Sequence, residues 1–446
     1  MALTGIQIFK LLPKTNCGEC GVPTCLAFAM NLAAGKAELD ACPYVSEESR
    51  EQLAEASAPP IRPVTIGAGA TAFKVGGETV LFRHEKTFFN PCVFAGTIKD
   101  TDADAGAKAK RWASYQWERV GLTLRPEAAF VECVSGDAGK FKAAVQAVVD
   151  NSDLSLILGC EDPAILGPVA AAFKDKKPLL YAATNANADQ MAKIAGDNGL
   201  PLVVKGVDLD EVMELTNELT AAGLKDLIID SGARDLAGIF QDNVATRRAA
   251  LNTGNRALGF SPINFACSVS DDLAEQTAAA SLMVAKYGGI IVMTDMTAES
   301  IFPLLLERLN IYTDPQRPMT VTQGIFEIGG PGPDSPVAVT TNFSLTYFIV
   351  SGEIESSRVP TWLLIKDTEG LSVMTAWAAG KFSGDDVGMF IKKSGIMDKV
   401  NHKSLIIPGY AAAIAGDLEE ELSGWSIQIG PREAAHLAKF LKEWKA

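Results

Sequence analysis

The chain has 446 residues, of which 48% are hydrophobic, and its formal net charge is −14. This length predicts two or three domains with a sizeable buried core. The acidic surplus argues against nucleic acid and anionic membrane surfaces as partners, and three histidines are too few for a histidine-rich metal centre. The N-terminal apolar stretch lacks the small-residue cleavage site of a secretory signal, which favours a cytoplasmic protein.

Half of the eight cysteines are crowded near the N-terminus, at Cys17, Cys20, Cys25 and Cys42. Four thiolates on tight turns suit a 4Fe–4S cubane, which needs one sulfur for each iron. A four-cysteine zinc site is an alternative, but such sites usually contain two CxxC pairs and this segment has one. A pair of disulfides is a further alternative. The other cysteines are scattered in apolar runs, as in a reduced intracellular chain, and they are Cys92, Cys133, Cys160 and Cys267.

Residues 1–57 are predicted to form one unit around these cysteines. Gly18 and Gly21 suit the close backbone turns around a cluster, and Thr24 is typical of the N-cap of a helix that begins near Cys25. A second, acidic helix is predicted from Ser46 to Ala56. The proline-rich stretch that follows, at 57–63, favours a stiff hinge and a domain boundary.

The middle of the chain alternates short apolar runs with helical patterns. A hairpin of Val64–Ile66 and Thr79–Phe82 is predicted to lead into eight such runs. The predicted strands are Cys92–Ile98, Phe130–Val134, Leu154–Leu158, Leu179–Ala182, Leu202–Val204, Leu227–Ile229, Ile263–Ala266 and Ile290–Met293. Eight βα units predict a TIM (β/α)8 barrel, with a doubly wound open sheet as the alternative.

Polar residues follow several of these strands, where a barrel would place a functional site. They are Glu161, Asp162, Asn185, Asp230, Ser268 and Asp295. We interpret them as helix N-caps and scaffold, because no carboxylate pair with a base and a nucleophile emerges among them. Gly-rich phosphate-binding motifs are also missing, since the stretch from Gly67 to Ala72 lacks the third glycine.

A second linker, dense in proline and glycine, is predicted at 314–336, with a strand at Met319–Phe326 inside it. A smaller α/β pattern follows, with strands at Val337–Thr341, Trp362–Ile365, Leu405–Ile407 and Trp425–Ile429. Ligands of such Rossmann-like or flavodoxin-like sheets bind at the carboxyl ends of the strands. The small, hydroxylic residues there suit a flat or bulky neutral ligand, and the helix N-termini could receive a phosphate.

The spacing Cys17-Gly-Glu-Cys20-Gly-Val-Pro-Thr-Cys25…Cys42-Pro43, together with this architecture, resembles the large subunit of the corrinoid iron–sulfur proteins of the acetyl-CoA pathway. The resemblance covers the full length. It implies a 4Fe–4S cluster domain at 1–57, a TIM barrel domain at 58–322 and a Rossmann-like corrinoid-binding domain at 323–446. It assigns the four N-terminal cysteines to the cluster.

The resemblance also implies a cytoplasmic methyl carrier, a component of a corrinoid-dependent methyltransferase system. Cobalt would take a methyl group from a methyltetrahydrofolate methyltransferase and pass it to acetyl-CoA synthase. The expected partners include a small TIM-barrel subunit in a heterodimer and a low-potential electron donor or reductive activator. The expected corrinoid contacts are Thr340, Thr346, Gly370, Leu371, Ser372, Val373, Met374, Thr375 and Ala434.

The corrinoid of this family is held base-off, without an axial histidine from the protein. The chain lacks the Asp-x-His-x-x-Gly loop of other corrinoid proteins, and we interpret His84, His402 and His436 as surface or packing residues. Without a strong axial donor Co(I) is easier to reach, and the cluster is expected to repair accidental oxidation.

The two linkers are expected to let the end domains swing. A ferredoxin-like electron carrier with a C-terminal flavin and a barrel hydrolase with a zinc module are the competing interpretations.

Overall fold

The computed structural model of the chain describes residues 5–33, 37, 39–46, 49–50, 53, 59–119, 122–314 and 318–445. The chain divides into two compact units: residues 1–116 with 125–312 form unit 1, and residues 117–124 with 313–446 form unit 2. The polypeptide therefore passes from one unit to the other three times. No described helix is long and apolar enough to span a membrane.

The N-terminal part of unit 1 contains two short helices, α1 (Gly5–Leu11) and α2 (Cys25–Ala33). The predicted N-cap is confirmed, because the Ala27 N–H donates to Thr24 Oγ1 over 3.1 Å. Ser46 also caps a helical turn, since its Oγ accepts the Ser49 N–H over 3.2 Å. The remainder of the predicted Ser46–Ala56 helix is described only at residues 49, 50 and 53.

Unit 1 is built around an eight-stranded parallel barrel, which confirms the prediction. Its strands are β3 (Val93–Lys99), β6 (Ala128–Glu132), β7 (Ser155–Gly159), β8 (Leu179–Ala183), β9 (Leu202–Lys205), β10 (Leu227–Asp230), β11 (Ile263–Phe265) and β12 (Ile290–Met293). Neighbouring strands pair in chain order, and a parallel bridge between Ile229 and Pro262 brings β10 and β11, the two ends of the sheet, together.

Helices follow the strands and cover the outer surface of the barrel. They are α3 (Ala105–Ala113), α4 (Ala138–Asn151), α5 (Pro163–Ala172), α6 (Ala188–Asn198), α7 (Leu209–Ala221), α8 (Leu236–Arg248), α9 (Leu273–Ala285) and α10 (Ala298–Ile311). The strands are apolar on both faces because one face meets these helices and the other fills the barrel. Inside, the rings of Phe130, Tyr181 and Phe265 pack edge to face, with centroids 5.3–5.6 Å apart.

Two hairpins differ from the sequence-based expectation. The lead-in strand β1 (Val64–Ile66) pairs with β2 (Phe73–Val75), so the prediction of Thr79–Phe82 as its partner is wrong. A second hairpin, β4 (Trp117–Arg119) with β5 (Leu122–Leu124), was not predicted. It belongs to unit 2, although the chain on both sides of it belongs to the barrel.

Unit 2 contains a five-stranded sheet in the order β13-β15-β14-β16-β17. The strands are β13 (Gly324–Ile328), β14 (Val337–Thr341), β15 (Thr361–Lys366), β16 (Ser404–Ile407) and β17 (Ser426–Ile429), and only β13 is antiparallel to its neighbour. The helices are α11 (Ser344–Ser357), α12 (Val373–Ala378), α13 (Gly384–Ser394), α14 (Ala415–Glu421) and α15 (Leu437–Glu443). Two apolar clusters bury the faces of the sheet.

The strand that was predicted at Met319–Phe326, inside the linker 314–336, is present but begins and ends later. Residues 324–328 are the edge strand β13, which pairs with β15. The turn that follows is also fixed, because Trp362 Nε1 donates to the Gly332 carbonyl over 3.0 Å and the Asn401 N–H to the Pro333 carbonyl over 2.9 Å. In the first linker, the Pro59 carbonyl accepts Arg256 Nη1 over 3.0 Å.

Candidate functional site

A cavity of about 210 Å³ opens at the carboxyl ends of the parallel strands of unit 2. The ends of β14 and β16, the loop after β17 and the first turns of α11 and α12 form its walls. The lining residues are Ala338, Val339, Thr340, Thr346, Ile349, Val350, Val373, Ile406, Ile407, Pro408, Tyr410, Gly430, Pro431, Arg432, Ala434 and Leu437. This is the edge at which a parallel sheet presents its ligand site.

Asn342, directly after β14, holds the neighbouring loop in place. Its Oδ1 accepts the backbone N–H groups of Thr368 and Gly370, each over 3.0 Å, and its Nδ2 donates to Asp367 Oδ1 over 2.8 Å. Gly370 lies in the left-handed region with φ 76°. A Cβ there would lie 2.7 Å from Thr320 Cγ2, so the loop can approach this closely only with glycine.

The loops after β16 and β17 approach each other just as closely. A Cβ on Gly409 would lie 2.6 Å from the Gly430 carbonyl oxygen and 2.7 Å from the Arg432 nitrogen, both of them backbone atoms. The missing side chain at Gly409 therefore lets the two loops form one lip of the cavity. Above it, the Tyr410 hydroxyl donates to Glu433 Oε1 over 2.9 Å, and this hydrogen bond raises the pKa of Tyr410.

Three hydroxyls near this edge are buried without a hydrogen-bond partner. They belong to Thr340, Thr341 and Ser344, and Thr340, which lines the cavity, is only 2% exposed. A buried hydroxyl without a partner costs free energy, which a ligand offering an amide or carbonyl group would recover. Among these hydroxyls, that of Thr340 belongs to a residue of the cavity lining, where a ligand with hydrogen-bonding groups could partner it.

Large apolar side chains surround the same edge and lie open to solvent. Met374 is 54% exposed and Trp377 47% exposed, and Leu345, Ile349 and Tyr410 are exposed as well. Exposed apolar groups clustered at one edge are typical of a binding surface. The cavity and these side chains together give this edge of unit 2 a mostly apolar surface with little charge.

The structure brings together part of the predicted corrinoid set. Thr340, Thr346, Val373 and Ala434 line the cavity. Leu371 packs against the apolar core, and Ser372 bonds to Thr375, with 3.1 Å between the two hydroxyl oxygens. Gly370, Leu371, Ser372, Met374 and Thr375 are outside the lining, so the corrinoid contacts of the segment 370–375 stay a prediction.

Tyr410 and Arg432 line the cavity. They lie in the strand-end loops where the sequence predicted a ligand, but they were not among the nine predicted corrinoid contacts. Both residues lie just after strands of the parallel sheet, and this position is the sequence feature that marks them as possible ligand contacts. Which side chains of such a loop turn inward depends on the packing of Gly409 against Gly430, which spacing alone does not reveal.

The four N-terminal cysteines are free and differ in exposure. Cys25 and Cys42 are buried, Cys20 is half-buried and Cys17 is exposed. Cys20, Cys25 and Cys42 belong to one apolar cluster with Ile8 and Phe28. The predicted positive φ angles of the two glycines are confirmed at 76° for Gly18 and 81° for Gly21, with open space around each α-carbon.

Backbone groups already point at one of these thiols. The Asn16 N–H donates to Cys25 Sγ over 3.4 Å, and the Cys25 N–H donates to Asn16 Oδ1 over 2.8 Å. Hydrogen bonds to sulfur are a feature of cluster ligands, and the soft donor set suits iron. Within the described residues no three Cys, His, Asp or Glu side chains are arranged as metal ligands. Ligation by all four cysteines therefore stays a prediction.

The strand ends of the barrel carry charged groups that are paired with one another. The buried Asp230 carboxylate accepts Tyr181 Oη and Arg234 Nη2, each over 2.8 Å, and Arg234 lies 4.6 Å above the Phe265 ring. Asp230 contributes to the raised pKa of Tyr181, although burial is the main cause. These side chains are therefore already partnered within unit 1, and the carboxyl end of unit 2, which holds the cavity, is the better candidate site.

The other polar strand ends only partly match their interpretation as caps. Asp162 does cap α5 through the Ala164 N–H at 2.8 Å. Glu161 instead pairs with Lys205 over 2.6 Å, and Asp295 accepts Trp112 Nε1 over 2.8 Å. Asn185 donates to Glu211, and the Ser268 hydroxyl donates to the Arg234 and Phe265 carbonyls. The cap interpretation is thus wrong for these four, whose side chains pair elsewhere in unit 1.

The remaining cysteines and the histidines lie away from the cavity lining. Burial raises the pKa of Cys92 and of Cys160 to about 12, which suits inert packing residues. His84 stacks on Phe82 with ring centroids 5.6 Å apart, and His402 Nε2 lies 2.8 Å from the Ser335 carbonyl oxygen. His436 is exposed in the turn before α15.

Comparison with known proteins covers almost the whole chain. A family model described as "CO dehydrogenase/acetyl-CoA synthase delta subunit" matches residues 63–441, and one described as "Putative Fe-S cluster" matches residues 12–44. The chain is 45% identical over 444 residues to the corrinoid/iron-sulfur protein large subunit of Moorella thermoacetica, with 99% of each chain covered. It is 36% identical to the acetyl-CoA decarbonylase/synthase complex subunit gamma of Methanopyrus kandleri, covering 99% of this chain and 98% of that one.

Proposed function

The chain belongs to the family of corrinoid/iron-sulfur protein large subunits and acetyl-CoA decarbonylase/synthase gamma subunits, and we propose that it is a methyl carrier. It accepts a methyl group that originates from methyltetrahydrofolate, through a methyltransferase, and delivers it to acetyl-CoA synthase. The observation that carries this proposal is the 45% identity to a corrinoid/iron-sulfur protein over the full length of both chains.

Unit 2 is the proposed corrinoid-binding part, within the predicted domain 323–446. When bound, the corrinoid supplies a cobalt nucleophile that takes up the methyl group. The exposed apolar side chains of Met374 and Trp377 would shield the ligand from water, and the unpartnered hydroxyl of Thr340 would hydrogen-bond to it. We also propose that the corrinoid is bound base-off, without an axial ligand from the protein.

The N-terminal segment is the proposed cluster domain, with Cys17, Cys20, Cys25 and Cys42 as ligands. Its match to an iron–sulfur family model at residues 12–44 supports this assignment. The cluster would pass electrons from a low-potential donor or reductive activator and return oxidised cobalt to its active state. A smaller TIM-barrel subunit is the proposed heterodimer partner. The comparisons do not favour the interpretation as a flavin-bearing electron carrier.

Metal analysis of protein reconstituted under argon with iron, sulfide and a cobamide tests the proposal. We expect about four iron atoms and about one cobalt atom per chain, because each cubane contains four irons and each corrinoid one cobalt. The visible spectrum should contain corrinoid bands in addition to iron–sulfur absorption. Protein that took up iron but no cobamide, or that showed the paired bands of a flavin, would contradict the proposal.

Thr340→Val should separate the effect of the hydroxyl on protein stability from its effect on corrinoid affinity. The variant replaces the buried, unpartnered hydroxyl with a methyl group, so the ligand-free protein should gain about 1 kcal/mol of unfolding free energy. The loss of the hydrogen bond to the ligand should weaken corrinoid affinity about 10-fold. Thermal unfolding of the ligand-free protein and titration with cobinamide, followed by absorbance, measure the two effects.

Thr216→Val is the matched control, because Thr216 Oγ1 is also buried without a partner but lies in the barrel helix α7. It should show a similar gain in stability and unchanged corrinoid affinity. If Thr340→Val bound cobinamide as tightly as the unsubstituted protein, the hydroxyl would have no role in the site.

A further inference from the structure

A single cation stands at the lip of the unit 2 cavity. Arg432 is the only charged residue in the described lining, and its side chain is exposed. Within the described part of the chain, Arg432 has no hydrogen-bond or ion-pair partner. The nearby carboxylate of Glu433 is instead engaged by the Tyr410 hydroxyl over 2.9 Å. A free guanidinium on an otherwise uncharged wall is a recognition element for an anion.

The backbone at Arg432 is held in place by the neighbouring loop. Arg432 follows β17 directly through Gly430 and Pro431, and the Gly409 N–H donates to the Pro431 carbonyl over 3.2 Å. Only a glycine at 409 permits this approach, since a Cβ would lie 2.7 Å from the Arg432 nitrogen. The positive charge also acts on its surroundings, because it opposes the rise in the pKa of Tyr410 that Glu433 causes.

The cavity below supplies a second observation that points to a ligand. Thr340 lines the same cavity, is 2% exposed and has an unpartnered Oγ1. The wall that carries Arg432 continues through Ala434 and Leu437 at the base of α15. A ligand that formed a hydrogen bond with Thr340 Oγ1 and also reached Arg432 would have a neutral body and one anionic group near the loop after β17.

A complete corrinoid has this division, because the amide side chains around its ring are uncharged while the tail that carries its lower base contains an anionic phosphodiester. We propose that Arg432 binds this phosphodiester and thereby makes the site selective for complete cobamides over the ring alone. The inference rests on the proposed function, since it assigns one part of the same ligand. A guanidinium binds two phosphate oxygens in a fixed geometry, which a lysine cannot do.

Titration of the full-length, corrinoid-free protein with three probes tests this. Cobinamide has the ring without a phosphate, cobinamide phosphate adds the anion, and a complete cobamide adds the base. The unsubstituted protein should bind the two phosphate-bearing probes about 10-fold more tightly than cobinamide. In Arg432→Gln this preference should disappear while the affinity for cobinamide changes less than about twofold. Raising the salt concentration should weaken the preference in the unsubstituted protein only.

Lys442→Gln is the matched control, because Lys442 is an exposed cation of α15 outside the cavity lining. It should keep the full preference for phosphate. The proposal is overturned if Arg432→Gln retains the preference or loses cobinamide affinity to the same extent. Failure of the unsubstituted protein to bind any of the three probes overturns the methyl-carrier function itself, a distinct result. Unchanged thermal unfolding of Arg432→Gln establishes that the variant is folded.

Discussion

Cys20→Ala is expected to keep corrinoid binding and to slow reductive reactivation of oxidised cobalt by more than about 100-fold. Mutation of a residue that only hydrogen-bonds to a metal ligand typically lowers metal affinity or activity by about 10–100-fold. Cys20→Ala removes a proposed ligand itself, so the expected effect is larger. The remaining three thiolates leave one iron of a cubane without protein ligation. The rate of cobalt reduction by a low-potential donor, measured anaerobically by absorbance, is the test, with iron content determined in parallel.

The outcome separates two roles for the cluster. If the cluster serves only in repair, chemically pre-reduced Cys20→Ala protein should transfer methyl groups at the unsubstituted rate. Cys267→Ala is the control, because Cys267 packs against the interior of the barrel and should leave both iron content and reactivation unchanged. Reactivation of Cys20→Ala at the unsubstituted rate would refute the proposed role.

The barrel was predictable because its strands obey a simple rule. Strands covered on both faces are continuous apolar runs, and eight of them recur with helical patterns between them. The errors in the predicted barrel strands concern their first and last residues. For the second barrel strand the prediction began at Phe130, whereas β6 begins at Ala128, because alanine has no preference for strands. The polar sequence of the β4 hairpin likewise carried no signal of a buried face.

The lead-in hairpin shows how a turn can be misassigned. Gly76 and Gly77 lie between the two strands of the predicted hairpin, yet β1 and β2 are joined through Gly67 and Gly69, both with positive φ. Gly76 has a different reason to be glycine, since a Cβ would lie 2.3 Å from the Arg62 carbonyl oxygen. A glycine required by tertiary contact cannot be told from a turn glycine by sequence alone.

The candidate site was predictable as an edge of the sheet but not as a set of side chains. Parallel strands place their carboxyl ends at one edge, which directed attention to Thr340 and to the loops after each strand. Whether a given side chain faces the cavity depends on packing. Leu371 turns into the core while Arg432 lines the cavity, and both follow strands of the same sheet.

The second large effect concerns a buried ion pair in unit 1. Arg247 Nη2 lies 3.5 Å from Glu78 Oε2, and the two side chains are each 6% exposed. The guanidinium is also stacked between Phe88 and Tyr287, with 5.0 and 4.7 Å to the ring centroids. Replacing Arg247 with methionine leaves the Glu78 carboxylate buried without a counter-charge. We expect a loss of about 3–5 kcal/mol in the unfolding free energy of the barrel.

Hydrogen exchange of the amides in β3 and β12, which reports opening of the barrel, measures this loss. Arg248→Met is the matched control, since Arg248 is the exposed neighbour on the same helix, and it should change stability by less than about 0.5 kcal/mol. The double variant Glu78→Gln with Arg247→Met should recover much of the loss, because no charge is then left buried.

The stability of the single variant Arg247→Met should also depend on pH. Burial is the main cause that raises the pKa of Glu78 above its ordinary value of 4.5, and the Arg247 charge opposes that rise. Without Arg247 the pKa of Glu78 should rise further, so the folded state binds a proton that the unfolded state has already released. Stability of Arg247→Met should therefore be greatest below pH 4.5 and fall as the pH rises toward neutrality. A pH-independent loss, or the same loss in Arg248→Met, would show that packing of the guanidinium, and not its charge, holds this region together.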